Sequence, residues 1–316
     1  MSTKSMAFTF PGQGSQYIGM GAELAKARSQ AAHVFEEVDD ALDFSLSKLV
    51  FSGDEEQLKL TENTQPALMA VSMSIMKVLE ADGFSLKDSA HCVAGHSLGE
   101  YSALCAAGVF SLADTAKLLR LRGQAMQKAV PVGKGAMAAI IGMEIDAVTS
   151  MIAEVASDTN IVSVANDNAN GQVVISGEKT AVEMAADLAK EKGAKRALLL
   201  PVSAPFHCQL MQPAADEMKD ALADANMNSP VVPILANVTA ELTESPDEIR
   251  QLLVSQVTGV VRWRQTILKM APMGVDTLVE VGAGKVLSGL ARRINKELTT
   301  INIESLASID AFLEAK

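Results

Sequence analysis

The sequence predicts an α/β protein: an α/β core interrupted by a small βαββαβ insert. Three observations carry that expectation. The apolar segment Cys92-Val93-Ala94 runs through Gly95-His96-Ser97-Leu98-Gly99 into a helix-compatible stretch, the strand–elbow–helix arrangement of hydrolase-like α/β cores. Between 134 and 204, short apolar runs and amphipathic runs follow one another as βαββαβ, the split ferredoxin-like unit. With 316 residues, 48% hydrophobic and 21% charged, the chain can bury a sizeable core and is too apolar to remain disordered.

Taken in order, Ala7-Phe8-Thr9-Phe10 reads as a strand that breaks at Pro11-Gly12. An amphipathic helix fits Ala22 to Leu42, and Ser52-Gly53-Asp54 reads as a loop. A second helix fits Pro66 to Leu79, with Pro in the first turn and Ala67, Val71, Ile75 and Val78 on one face. Ser111 and Asp114 have capping-box spacing and open a helix to about Ala129. Within the insert, strands fit Ala136–Met143, Ile161–Ala165, Gln172–Ser176 and Ala197–Val202. Helices fit Asp146–Ala156 and Thr180–Lys192, and the turn-rich NDNANG separates the middle strands. Beyond it come a helix near Met211, a strand Val231–Leu235, helices Asp247–Val254 and Arg264–Met270, a strand Thr277–Val281 and a helix Val286–Asn295. The expected organisation is a core of residues 1–129 and 205–316 with a small subdomain at 130–204.

Composition excludes several classes. With 27 Lys and Arg against 38 Asp and Glu, the net charge of −11 and the lack of a basic run argue against general nucleic-acid binding. Apolar stretches are far shorter than the ~18 residues of a membrane helix. The chain reaches Pro11-Gly12 too soon for a secretory apolar region. Cys92, Cys105 and Cys208 are odd in number and widely spaced, so a disulfide framework is not expected and a reducing, cytoplasmic location is.

The chemistry centres on Ser97. A nucleophile on a sharp turn needs small neighbours, which the flanking glycines supply. It also needs a base. Of the four histidines, His33 lies in an amphipathic helix and His91 precedes a strand. His96 adjoins Ser97 but points elsewhere at an elbow, so it is expected to support the turn or line the pocket. His207, in the loop Pro205-Phe206-His207 after a strand, is the expected base. One oxyanion donor is expected from the Leu98 N–H. The comparable glycine loop is Gly12-Gln13-Gly14; Tyr17 stands where a dinucleotide fingerprint needs its third Gly, and Val286 breaks a P-loop reading of Gly282-Ala283-Gly284-Lys285. Arg122 lies on the apolar side of its helix with Leu118, Leu119, Ala125 and Met126. A buried guanidinium must be paired, either with a buried acid or with a ligand carboxylate.

Together, PGQGSQ near the start, TQPA at 64–67, GHSLGEYSAL at 95–104, Arg122-Gly123, Pro205-Phe206-His207 and EVGAGKVL at 280–287 resemble malonyl-CoA:acyl carrier protein transacylases over nearly the whole chain. The resemblance implies ping-pong transfer of malonyl from malonyl-CoA to the phosphopantetheine thiol of acyl carrier protein in fatty-acid synthesis, without a bound cofactor or metal. Ser97 is then the nucleophile, His207 the base, Gln13 and Leu98 the oxyanion donors and Arg122 the carboxylate anchor. A backbone carbonyl replaces the triad acid, expected at Arg262, and Gln65, His96, Asn166 and Asn168 line the cleft. Ala283, Cys208 and Asp167 depart from the family's common residues without removing a catalytic group. Phe206 before His207 resembles the malonyl-type signature. The family expectation is a monomer. An acidic carrier is expected to dock on a local basic patch, with Lys190, Lys192, Lys195, Arg196, Arg262 and Lys285 as candidates. The competing readings are a serine thioesterase or hydrolase, a transacylase of a polyketide or polyunsaturated synthase, and a non-catalytic carrier-docking subunit.

Overall fold

The structure, a computed structural model, describes residues 5–202 and 204–315. Residues 1–4, 203 and 316, which the expected domain bounds include, lie outside it. Ten strands run along the described chain: β1 Met6–Phe10, β2 Ala90–Gly95, β3 Gly135–Ile141, β4 Val162–Ala169, β5 Gln172–Glu178, β6 Arg196–Leu199, β7 Ile234–Leu235, β8 Leu242–Thr243, β9 Thr277–Val281 and β10 Thr299–Ile303.

The larger sheet has the order β10-β9-β1-β2-β7-β8. Its pairs are parallel except β7–β8. A parallel sheet is covered on both faces, and β1 shows it residue by residue. Phe8 and Phe10 join a cluster with helices Ser29–Leu42, Thr61–Ala81 and Leu112–Ala129, while Ala7 packs on the other face with Trp263, Leu287 and Leu290. The smaller sheet has the order β4-β5-β3-β6, all antiparallel. With helices Ile145–Ile152 and Lys179–Glu191 it forms βαββαβ. Ala138, Ile140, Val173 and Ile175 pack beneath those helices, whereas Met137 and Val174 face the main core. The small sheet is tied to the segment that leads into helix Trp263–Met270, where Asn166 bridges Val261 and the Arg264 guanidinium donates to both oxygens of buried Asp167 at 3.0 Å.

Several elements differ from the sequence expectation, each for a local reason. The helix expected over Ala22–Leu42 is broken at Arg28, whose backbone is extended and whose side chain pairs with Asp82. The second helix begins at Thr61, so Pro66 sits inside it. The Glu62 carbonyl that Pro66 leaves without a helical donor accepts from Arg120 instead, at 3.3 Å. Asn166, Asp167 and Asn168 belong to β4 rather than a turn, because register shifts between Val164 and Asn166 and between Asp167 and Ala169 accommodate them. The helix after Ser245 runs to Thr258, past the expected end at Val254. Strands β8 and β10 and the final helix Leu306–Glu314 carried no expectation.

The glycines of the elbow are fixed by close approach. A Cβ on Gly95 would lie 1.9 Å from the Gly99 backbone, and one on Gly99 would lie 2.2 Å from the Phe10 carbonyl. Gly99→Ala should therefore destabilise the fold by about 3 kcal/mol in denaturant unfolding. Gly289→Ala, in a helix with open space around the Cβ, should be neutral or stabilising by up to ~1 kcal/mol. Equal effects of the two would contradict this packing.

Candidate active site

Ser97 sits at the C-terminal end of β2, the neighbour of β1 near the middle of the large sheet. Its backbone has φ 53° and ψ −108°, a conformation that L-residues keep only when their surroundings enforce it. Three hydrogen bonds do so. Asn237 Oδ1 accepts from the Ser97 N–H at 2.8 Å, and Asn237 Nδ2 donates to the Gly95 carbonyl at 2.7 Å. Gln256 Nε2 donates to the Ser97 carbonyl at 2.9 Å.

His207 is brought to Ser97 from a different part of the chain. Its own φ is 59°, and its Nε2 lies 2.8 Å from Ser97 Oγ. Its Nδ1 lies 2.9 Å from the Gln256 carbonyl. A carbonyl can only accept, so the proton resides on Nδ1 and the Nε2 lone pair faces the serine hydroxyl. Burial, with Arg122 beside it as the second cause, depresses the imidazole pKa to about 3. The ring is therefore neutral at physiological pH.

The orienting carbonyl is thus that of Gln256, not Arg262. Gln256 lies in the last turn of helix Pro246–Thr258, where carbonyls lack helical donors. Arg262 caps the next helix: its carbonyl accepts from the Thr266 N–H at 2.9 Å and from Thr266 Oγ1 at 3.1 Å. Its guanidinium is half-buried against the Val238 carbonyl.

Arg122 is 1% exposed. Helix Leu112–Ala129 can approach helix Thr61–Ala81 here because Gly123 has no side chain; a Cβ there would lie 2.4 Å from Glu62 Cα. Arg122 Nη1 donates to Gln65 Oε1 at 2.7 Å, and Nη2 donates to Gln256 Oε1 at 2.7 Å and to Ser97 Oγ at 3.1 Å. Nε has no partner among the described residues, and the guanidinium lies 5.6 Å over the Tyr101 ring. No carboxylate contacts it within ion-pair distance among the described residues. This buried cation is therefore held by amide dipoles and available to an anion.

A cleft of about 170 Å³ opens above these groups. Gln13, Gln65, His96, Ser97, Leu98, Arg122, Asn166, Asn168 and His207 all line it, so nine of the ten residues expected at the site converge and Arg262 does not. His96 Nε2 meets Asn168 Oδ1 at 2.8 Å, which fixes the second His of the region as a wall of the cleft. The N–H groups of Gln13 and Leu98 have no protein acceptor among the described residues. Leu98 opens helix Leu98–Ala106, where N–H groups are unpaired and the dipole favours negative charge. Three residues were not anticipated. Asn237 and Gln256 clamp the elbow, and Glu100, 2% exposed, accepts from Gln256 Nε2 at 2.7 Å. Glu100 carries a signal, an acid in an otherwise apolar helix start; Asn237 and Gln256 lie 140 and 159 residues from Ser97 and carry none.

A nucleophile on a strand-to-helix elbow, with a neutral His as base and unpaired N–H groups beside it, is the arrangement of a serine-dependent acyl-transfer enzyme on an α/β hydrolase-like fold. Comparison with known proteins narrows that class. Residues 7–308 match the acyl transferase domain model. The Escherichia coli (strain K12) malonyl CoA-acyl carrier protein transacylase is 46% identical over 308 residues, 98% of each chain. The crystal structure of acyl-carrier-protein-S-malonyltransferase from Bartonella henselae superposes with a TM-score of 0.96 at 55% identity, over 98% of this chain and 99% of that one. A type II PKS acyl-carrier protein in complex with its malonyl-transacylase gives a TM-score of 0.95 at 44% identity, over 99% and 100%. The chain belongs to the malonyl-CoA:acyl carrier protein transacylase family, and is an acyltransferase.

The depressed pKa of His207 has a direct consequence. The neutral, proton-accepting ring persists down to about pH 3, so acylation of Ser97 by a thioester should not follow an ordinary imidazole titration. Between pH 8 and pH 5 the rate attributable to His207 should change less than about twofold, where an unshifted His would lose about thirtyfold. Glu100, which burial pushes up to about 7, also titrates in this window, and stopped-flow acylation of Glu100→Gln isolates the His207 contribution.

Proposed function

We propose that Ser97 of this protein carries malonyl from malonyl-CoA to the phosphopantetheine thiol of acyl carrier protein, in fatty-acid biosynthesis. The observation that carries the assignment is Arg122, a buried cation 3.1 Å from Ser97 Oγ with no acid against it among the described residues. Ser97 Oγ attacks the thioester carbonyl as its proton passes to His207 Nε2. The Leu98 and Gln13 N–H groups hold the oxyanion, and Arg122 pairs with the free malonyl carboxylate. Collapse of the tetrahedral intermediate breaks the C–S bond; CoA leaves as the thiol, taking the proton from His207. The carrier thiol then gives its proton to His207 and attacks the malonyl ester. Ser97 recovers the proton as malonyl-carrier departs. No metal or resident cofactor enters this scheme.

Carrier docking is assigned to one edge of the small subdomain, which we place at residues 130–204. Lys190 and Lys192 are already paired with Asp187 and Glu154. Lys195 and Arg196 are exposed and have no ion-pair partner among the described residues, and Leu198 and Leu199 beside them are about half exposed. The same segment continues to Leu200 and Val202, which line the cleft. A mixed basic and apolar edge leading to the nucleophile suits an acidic carrier that delivers a long arm. No helix among the described residues is long and apolar enough to cross a membrane, and the protein is taken to act as a cytoplasmic monomer.

Arg122→Ala should abolish malonyl loading of Ser97, read by intact mass, while acetyl loading persists or rises; equal loss for both acyl groups would remove the carboxylate role. Transfer to the carrier should weaken as salt rises from about 0.05 to about 0.5 M, which shortens the Debye length severalfold. A rate independent of salt would count against basic-patch docking.

A further inference from the structure

Arg122 and Glu100 present an unusual pairing problem. Both are buried, at 1% and 2% exposure, on helices that converge on Ser97. A buried guanidinium and carboxylate left to themselves form a bidentate pair, because each is costly alone. Here they do not meet. The side chain of Gln256, itself fully buried, stands between them. Its Oε1 accepts from Arg122 Nη2 at 2.7 Å and its Nε2 donates to Glu100 Oε2 at 2.7 Å. Glu100 Oε2 also accepts from the Asn237 N–H at 3.3 Å.

We infer that the Gln256 side chain is a spacer that keeps Glu100 from capturing Arg122, and so sets the enzyme's preference for a carboxylated acyl group. An amide is suited to the task because it offers an acceptor oxygen at one end and a donor NH2 at the other but no net charge. It orients the guanidinium without neutralising it, and it satisfies the carboxyl without leaving it unpaired. The fork of Arg122 then keeps its charge and N–H capacity for the substrate. The elevated titration of Glu100, caused first by burial and countered by Gln256 ahead of Arg122, fits a carboxyl that lacks a direct cation. In this role the Gln256 side chain and Glu100 are positioning residues that act through Arg122; the Gln256 amide also donates to the Ser97 carbonyl at 2.9 Å, and neither side chain touches a reacting atom. The same residue's backbone carbonyl orients His207, so a substitution changes the spacer while leaving that carbonyl in place.

The inference rests on Arg122 binding the malonyl carboxylate, and the experiment separates the two. Ser97 acylation by malonyl-CoA and by acetyl-CoA is followed by intact mass, and the ratio of the two rates is compared across variants of the full chain. Gln256→Met keeps the bulk but none of the amide's bonds to Arg122, Glu100 and the Ser97 carbonyl. Its flexible thioether can yield and let Glu100 reach Arg122, whereas the loss at Ser97 falls on both acyl groups and cancels in the ratio. The malonyl-to-acetyl ratio should fall about tenfold or more. Adding Glu100→Gln to Gln256→Met removes the competing carboxylate and should return the ratio to within about threefold of the unmodified protein. A merely structural role predicts the opposite, with the double variant no better than the single. If Gln256→Met does not fold, Gln256→Glu places a carboxylate directly against Arg122 and should lower the ratio similarly. An unchanged ratio in these variants while Arg122→Ala abolishes malonyl selectivity overturns the spacer alone. An unchanged ratio in Arg122→Ala overturns the carboxylate reading and the spacer with it.

Discussion

The structure depends on one backbone constraint: Ser97 must hold a positive φ at the end of β2. Such a residue costs about 1–3 kcal/mol and persists only where its surroundings over-determine it. The register of β1 against β2 brings Phe10 beside Gly95, which leaves room only for glycine at 95 and 99. Asn237 reaches the turn from the loop after β7, and Gln256 from the end of a helix. The nucleophile is therefore set by the large sheet and by two distant amides. His207 repeats the pattern with a positive φ of its own. Both members of the Ser–His pair are held by neighbours rather than by their own preferences.

Electrostatics in the cleft follow from burial. The protein is acidic overall, with a net charge of −11, yet its site contains a buried guanidinium with no acid in contact among the described residues. Burial, and that cation after it, keep His207 neutral. An anionic group placed beside Arg122 would offset part of that charge, so substrate charge and base strength would be linked by the proximity of the guanidinium to the imidazole. Net charge thus says little about local affinity: one residue on an apolar helix face outweighs the sum.

What the sequence revealed, it revealed through short-range chemistry. The elbow, each strand and helix of the βαββαβ unit and the misplaced Arg122 are visible in windows of about twenty residues, because steric demand, hydrophobic period and charge on an apolar face are local properties. The carbonyl that the family resemblance placed at Arg262 is that of Gln256: the helix runs four residues past its expected end, from Val254 to Thr258, while the Arg262 carbonyl is taken up by Thr266. That extension carries Gln256 to His207. Asn166 and Asn168 read as turn residues, yet two register shifts hold them in a strand facing the cleft. Asn237 and Gln256 left no trace, since their partners lie more than a hundred residues away. Residues that do chemistry advertise themselves by type and spacing; residues that hold them in place are defined by the fold.

The third member of the catalytic group is an atom of the main chain. Every codon supplies a carbonyl, so no point substitution at Gln256 can delete the acceptor for His207 Nδ1 in the way that replacing a triad aspartate would. It is lost only when the helix end moves. This couples the base to tertiary structure instead of to residue identity, and leaves the side chain at the same position open to selection for a different purpose.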